Sequence, residues 1–207
     1  MRHMTVTLHL NDLPSGVDFG SAVAIDTETM GLNPHRDRLC VVQLSAGDGN
    51  AHLVQFGRGR YEAPNLKALL ENPKVLKIFH FGRFDIAVLK RYLGADTSPV
   101  YCTKIAAKLV RTFTDRHGLK DLCRELLGVE ISKQQQTSDW GQEVLTPEQM
   151  NYAASDVLHL HALKAKLDTL LARESRTGLA QACFDFLPYR AELDLKGWSD
   201  ETDLFKH

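Results

Sequence analysis

Three apolar runs rich in β-branched residues follow one another between residues 22 and 56: AVAIDTET at 22–29, RLCVVQLSA at 38–46 and AHLVQF at 51–56. Only GLNPHRD and GDGN separate them, and such turn-forming spacers between short apolar runs predict consecutive antiparallel strands. A β-meander is therefore expected to open the sheet. A helix at about 63–72, a strand at 74–80 (KVLKIFH), a helix from about 82 to 93 stopped by Gly94, and a short strand at Val100–Cys102 continue the alternation. From residue 103 the pattern turns helical, through TKIAAKLVRTF and GLKDLCRELLGV to a long helix from Thr146 to about Arg173 and a last one over roughly 178–193. Thr146-Pro147-Glu148-Gln149 marks the start of the long helix with a capping box and a proline at its first position. Strands first and helices afterwards predict a mixed central sheet with helices packed on it, in the α/β or α+β class.

Acidic residues interrupt these apolar segments at places where a carboxylate needs a reason. Asp26 follows Val23-Ala24-Ile25 directly, and Glu28 shares its face because side chains alternate along a strand. Asp85 falls in the first turn of the 82–93 helix, where it can serve as a helix-dipole partner worth roughly 0.3–1 kcal/mol. Tyr152 and Asp156 stand one turn apart on the long helix, within NYAASDVLHL. By default Tyr152 is a core aromatic with a satisfied hydroxyl. Desolvated carboxylates cost several kcal/mol unless paired, and a hard divalent cation such as Mg2+ or Mn2+, which prefers oxygen ligands, removes that cost. Two such ions, roughly 3.5–4 Å apart, are the arrangement that cleaves phosphodiesters.

Composition narrows the alternatives. With 207 residues, 43% hydrophobic and 25% charged, one globular domain with a helical extension is the expectation, and no stretch approaches the roughly 18 apolar residues of a membrane helix. No secretory leader is evident in MRHMTVTLHLNDL, so a cytoplasmic protein is expected. Cys40, Cys102, Cys123 and Cys183 lack metal-finger or paired spacing and read as reduced core thiols. A net charge of −1 excludes a broad basic surface that coats duplex nucleic acid. Lys104, Lys108, Arg111, Arg116, Lys120 and Arg124 either line a groove or form a solvated helix face. Phosphate-binding, serine-hydrolase and dinucleotide signatures are absent from the sequence.

DTET at 26–29, HFGRFD at 80–85, GLKDLCRELLGVEISK at 118–133, SDW at 138–140 and YAASDVLHL at 152–160 resemble, in order and spacing, the exonuclease domain of ribonuclease D. That family belongs to the DEDD 3′-5′ exonucleases, whose fold is ribonuclease H-like, and Tyr-x-x-x-Asp places the resemblance in the tyrosine branch. The resemblance spans about residues 5–175 and implies that Asp26, Glu28 and Asp156 hold the metal that activates water. It further implies that Asp26 bridges to a second ion supported by Asp85, with Tyr152 orienting the nucleophile. Met30 and Leu32 are candidates to wedge against the terminal base, or are packing residues. His80, Lys133, Gln136 and Ser138 are candidates for substrate contact, or for ordering the local chain. Thr137 stands where the family often has arginine. The chain is expected to be a single exonuclease domain over 1–207, its extension at about 178–195, without further helical nucleic-acid-binding domains.

The implied activity is metal-dependent release of nucleoside 5′-monophosphates from single-stranded RNA 3′ ends, using two divalent ions, Mg2+ or Mn2+. DNA as the substrate, or a non-catalytic nucleic-acid-binding module on the same fold, are the alternatives. A membrane partner is not expected, and the sequence does not fix an oligomeric state.

Overall fold

In the computed structural model, residues 5–132, 134–135, 137–198 and 204 are described. A short strand β1 (Val6–Leu10) precedes the meander, which follows as β2 (Ala22–Thr29), β3 (Leu39–Ser45) and β4 (Ala51–Gln55), each antiparallel to the next. Next come α1 (Pro64–Glu71), β5 (Leu76–Phe79), α2 (Gly82–Leu93) and β6 (Val100–Cys102). The sheet has the order β1-β4-β3-β2-β5-β6, with β1 parallel to β4, β5 to β2 and β6 to β5. This is the mixed sheet that the sequence predicts, extended at one edge. β1 escaped the sequence pattern because its five residues, VTLHL, pair on one side only and are half-exposed along most of their length.

All seven residues of β3 are buried, so this strand lies covered on both faces and reads as a continuous apolar run rather than an alternating one. β2 is equally buried at Val23, Ala24 and Ile25, and becomes half-exposed at Asp26 and Glu28, where the strand reaches the site.

The helical half departs from expectation in two places. α3 (Thr103–Val110) is followed by a single turn, α4 (Leu119–Leu122), and then a π turn at Cys123–Leu127 that Gly128 closes with φ +69°, where one helix over 118–129 was expected. The long helix is two, α5 (Pro147–Leu158) and α6 (Leu160–Arg173), redirected at His159. α5 buries Ala153 in a small cluster over the meander and Ala154 and Val157 in the main core, where α6 buries Leu160, Leu163, Leu167 and Leu171. α5 starts as expected: Thr146 Oγ1 accepts from Gln149 N at 3.2 Å, and Gln149 Oε1 accepts from Thr146 N at 2.9 Å.

α7 (Thr177–Leu195) packs against α2. Arg83, two residues before Asp85, forks onto Asp194 with both hydrogen bonds at 2.5 Å, so the last helix is tied to the first turn of α2. Cys40, Cys102 and Cys123 are buried free thiols and Cys183 is half-buried. Among the described residues, no helix is long and apolar enough to cross a membrane.

Candidate active site

The site forms where β2 loses a neighbour. β5 pairs with β2 only from Leu76 opposite Ala22 to Ile78 opposite Ala24, and the chain then turns through His80 and Phe81 into α2. The first turn of α2 thereby comes beside the second half of β2, and the Thr27 hydroxyl donates to Asp85 Oδ1 at 2.6 Å. From the other direction, α5 crosses β2 and β3 and brings Tyr152 and Asp156. Oxygens of Asp26, Glu28 and Asp156 lie within 4.8 Å of one another.

Electrostatics show how poorly these groups tolerate company. Burial, and then Asp85, Asp156 and Glu28, hold the Asp26 carboxyl well above the usual carboxylate range. Burial, Asp156 and Asp85 push Glu28 up to about 9. Asp85 is raised by burial against the opposing Thr27 hydroxyl, and Asp156 by burial and Asp85 against the opposing Tyr152 hydroxyl. Four carboxylates that cannot all ionise together, three of them with oxygens converging, form a donor set that fits a hard divalent cation.

The remaining expected residues divide by surroundings. Tyr152 is half-buried with its ring centroid 6.0 Å from that of Trp140, and burial with Asp156 and Glu28 raises its hydroxyl pKa, so it stays a phenol. Trp140 is buried in a small cluster with Cys40, Val41, Leu53, Leu145 and Ala153. Met30 and Leu32 are exposed, at 49% and 87%, just beyond the end of β2. A side chain at Gly31 between them would displace the Asp37 carboxylate, which closes this loop by accepting from Asn33 N at 2.9 Å. His80 Nδ1 lies 2.9 Å from Thr103 Oγ1, and burial followed by Lys104 depresses its pKa to about 3, so the ring is neutral. Ser138 Oγ accepts from Gln149 Nε2 at 2.7 Å and thus supports the cap of α5. Lys133 and Gln136 lie outside the described residues.

Two groups escaped the sequence reading. Gln43, directly across from Asp26 in the β2–β3 register and fully buried, places Nε2 3.5 Å from Asp26 Oδ2; its signal was an amide inside the apolar run LCVVQLS. Phe81 caps α2 in the left-handed region, φ +66°, with its ring half-exposed and Lys104 Nζ 4.2 Å from the ring centroid. An aromatic residue there is an outlier that local contacts must hold. Within the basic stretch after residue 103, Arg111 pairs with Glu125, and Arg124 with Asp121 at 2.8 Å.

Residues 6–172 match the family model described as 3′-5′ exonuclease. The chain belongs to the 3′-5′ exonuclease family. Among solved structures it is similar to Brucella melitensis NrnC with bound Mg2+, at 58% identity and a TM-score of 0.94 over 98% of this chain and 99% of that one. The same protein bound to pGG gives 59% identity and a TM-score of 0.95 over 99% and 100% of the two chains. Escherichia coli RNase D, an exoribonuclease involved in structured RNA processing, follows at 26% identity and a TM-score of 0.72, over 83% of this chain and 45% of that one. Ribonuclease D of Acidiphilium cryptum is 38% identical over 154 residues, 74% of this chain and 39% of the relative. The chain thus spans about two fifths of the length of the ribonuclease D relatives it matches.

Proposed function

We propose that this protein is a divalent-metal-dependent 3′-5′ exoribonuclease that releases nucleoside 5′-monophosphates from the 3′ ends of single-stranded RNA. The observation that carries the reading is the convergence of Asp26, Glu28 and Asp156 oxygens within 4.8 Å, beside Asp85 and Tyr152, in a 3′-5′ exonuclease fold. The likeness to RNase D of E. coli supports RNA, and the pGG complex of the Brucella protein supports strands as short as a dinucleotide.

In this reading Asp26, Glu28 and Asp156 hold one Mg2+ or Mn2+, and Asp26 with Asp85 a second. When bound, the ions supply an activated water and neutralise charge on the scissile phosphate. Tyr152, a phenol held against Trp140, directs the attacking water through its hydroxyl without removing its proton. Thr27 fixes one Asp85 oxygen and Gln43 stands within reach of Asp26, so the carboxylates are held in place before substrate arrives. Met30 and Leu32, exposed beyond the strand end, present apolar surface to the terminal base. His80, neutral and bonded to Thr103, shapes the turn into α2 rather than carrying charge to the substrate. Four free cysteines support action in a reducing compartment such as the cytoplasm.

The test is digestion of a 5′-labelled single-stranded RNA with Mg2+. A ladder shortening one nucleotide at a time from the 3′ end, blocked by a 3′-phosphate and slower on the matching DNA, is expected. Internal cuts in a circular RNA would overturn the exonuclease reading, and equal or faster loss of DNA would overturn the choice of RNA.

A further inference from the structure

Two histidines away from the carboxylates meet at the edge of the sheet. β1 and β4 run parallel with Thr7 opposite His52 and His9 opposite Val54, so His9 and His52 are diagonal neighbours on one face. His9 Nε2 and His52 Nδ1 lie 2.9 Å apart, the ring centroids lie 5.2 Å apart, and the ring planes differ by 8°. The centroid separation thus exceeds the nitrogen separation by two ring radii, which is the largest difference two imidazoles can show. Only rings lying in one plane, nitrogen pointing at nitrogen, satisfy these values together. The contact is an end-to-end N–H···N hydrogen bond and not a face-to-face stack.

Such a bond has room for one hydrogen. A first added proton goes to an outer ring nitrogen and leaves the bond in place, whereas a second puts a hydrogen on both facing nitrogens, and two imidazolium ions then meet end to end. Burial, and then His52, lowers the pKa of His9, and burial lowers that of His52 against the opposing pull of Asp48. Asp48 comes from the β3–β4 turn, where its oxygens accept from Asn50 N and Asn50 Nδ2, both at 2.9 Å. Phe19, packed on His52 at an angle of 74° with centroids 5.4 Å apart, carries no charge. A metal ion does not suit the pair, because nitrogens aimed at each other converge on no third point. Among the described residues, only Asp26, Glu28 and Asp156 gather as a set of three ligands.

The strand that carries His9 is the edge of the sheet, paired on one side only. Its far end is pinned: Asn11, at φ +66°, accepts from Gly57 N at 3.2 Å, and Asp12 accepts from Asn65 N and Leu66 N, each at 2.9 Å, at the start of α1. Its near end is exposed at Thr5, whose carbonyl accepts from Ala51 N at 3.0 Å. On the strand's opposite face, Val6 and Leu8 pack onto the cluster that contains Trp140 and touches Tyr152. We propose that the His9–His52 pair is a pH-operated latch on β1, closed while the two rings share a hydrogen and released in acid, when β1 opens from Asn11 and uncovers the packing under α5. The latch goes beyond the exoribonuclease reading and does not depend on it. Because both pKa values are lowered, its stabilisation is complete above the ordinary histidine value of about 6.5 and is lost as pH falls.

Backbone hydrogen exchange in β1 tests this, since it reads the strand locally while the carboxylates govern the melting of the whole fold. It is measured with Mg2+ at about pH 7.5 and about pH 5, corrected for the intrinsic rate, and the wild type is expected to lose about 10-fold or more of its protection over residues 6–10 in acid. The double variant His9→Gln, His52→Asn is the comparison, because the Gln and Asn amides reproduce the positions of His Nε2 and Nδ1 and neither titrates. Its protection is expected to be the same at both pH values. Nitrogen NMR of the imidazoles in the wild type needs no variant: the pair is expected to take up protons in two separate steps, the second below the ordinary histidine range. Wild-type protection that ignores pH, an equal loss in the double variant, or two rings that titrate independently near the ordinary value would overturn the proposal.

Discussion

Tyr152 shows how one side chain can be assigned by separating its ring from its hydroxyl. The ring packs beside Trp140, while the hydroxyl lies in the field of Asp156, Glu28 and Asp26. Tyr152→Phe keeps the packing, so its thermal stability is expected to match the wild type while kcat falls about 10-fold or more through lost orientation of the water. Normal turnover in that variant would return Tyr152 to the core. The acids that the structure brings together were legible at this scale because a carboxylate within an apolar run demands a compensating partner. Gln43 was not, since an amide inside an apolar run signals a buried partner without saying which, and only the register sets it opposite Asp26. Ser138 reads in sequence as a candidate for substrate contact or for ordering the local chain; its hydroxyl accepts from Gln149, a partner eleven residues away that no local pattern indicates.

Elements were read well where their ends carry chemical signals. Thr146-Pro147 begins α5 and Gly94 ends α2, both as expected. At His159 the sequence offers neither glycine nor proline, and the apolar stripe Ala153, Val157, Leu160, Leu163 keeps its helical period, so nothing local marks the break between α5 and α6. The break follows tertiary packing: α5 lies over β2, β3 and β4, whereas α6 packs against α3 and β5. The link between α7 and α2 was hidden for the same reason: Arg83 and Asp194 are separated by 111 positions. Asp194 accepts from Arg83 and also from Arg190 at 3.0 Å in a half-buried setting. Asp194→Ala is therefore expected to lower unfolding stability by about 1–3 kcal/mol in a urea titration, because charged hydrogen bonds are lost together. Since Arg83 opens the helix that carries Asp85, a several-fold loss of activity is expected to accompany it. An unchanged urea midpoint would show that the pair only decorates the surface.

At the scale of the whole molecule, the site works against the fold until a cation joins it. Glu28 is pushed up to about 9, and Asp85 and Asp156 to about 7, so the folded protein holds more protons than the unfolded chain above the ordinary carboxylate range near pH 4. Raised carboxyl pKa values make stability fall as pH increases, so in a chelator the melting temperature is expected to drop steadily from about pH 5 to pH 9. Bound Mg2+ favours the ionised carboxylates and should flatten or reverse that trend. A metal-free melting temperature that rises over the same window would contradict the electrostatics.

The most direct measurement compares RNA hydrolysis by the wild type and Asp156→Asn, each with Mg2+ and with excess chelator. Asp156 supplies an oxygen to the converging triad and is one of its sources of repulsion, so the amide keeps the shape and removes the charge. The wild type is expected to release nucleoside monophosphates from the 3′ end only with Mg2+. The variant is expected to be inactive in both conditions and at least as stable as the wild type in chelator. Hydrolysis by the wild type in excess chelator, or a wild-type rate in Asp156→Asn, would contradict a metal-dependent exonuclease built on these carboxylates.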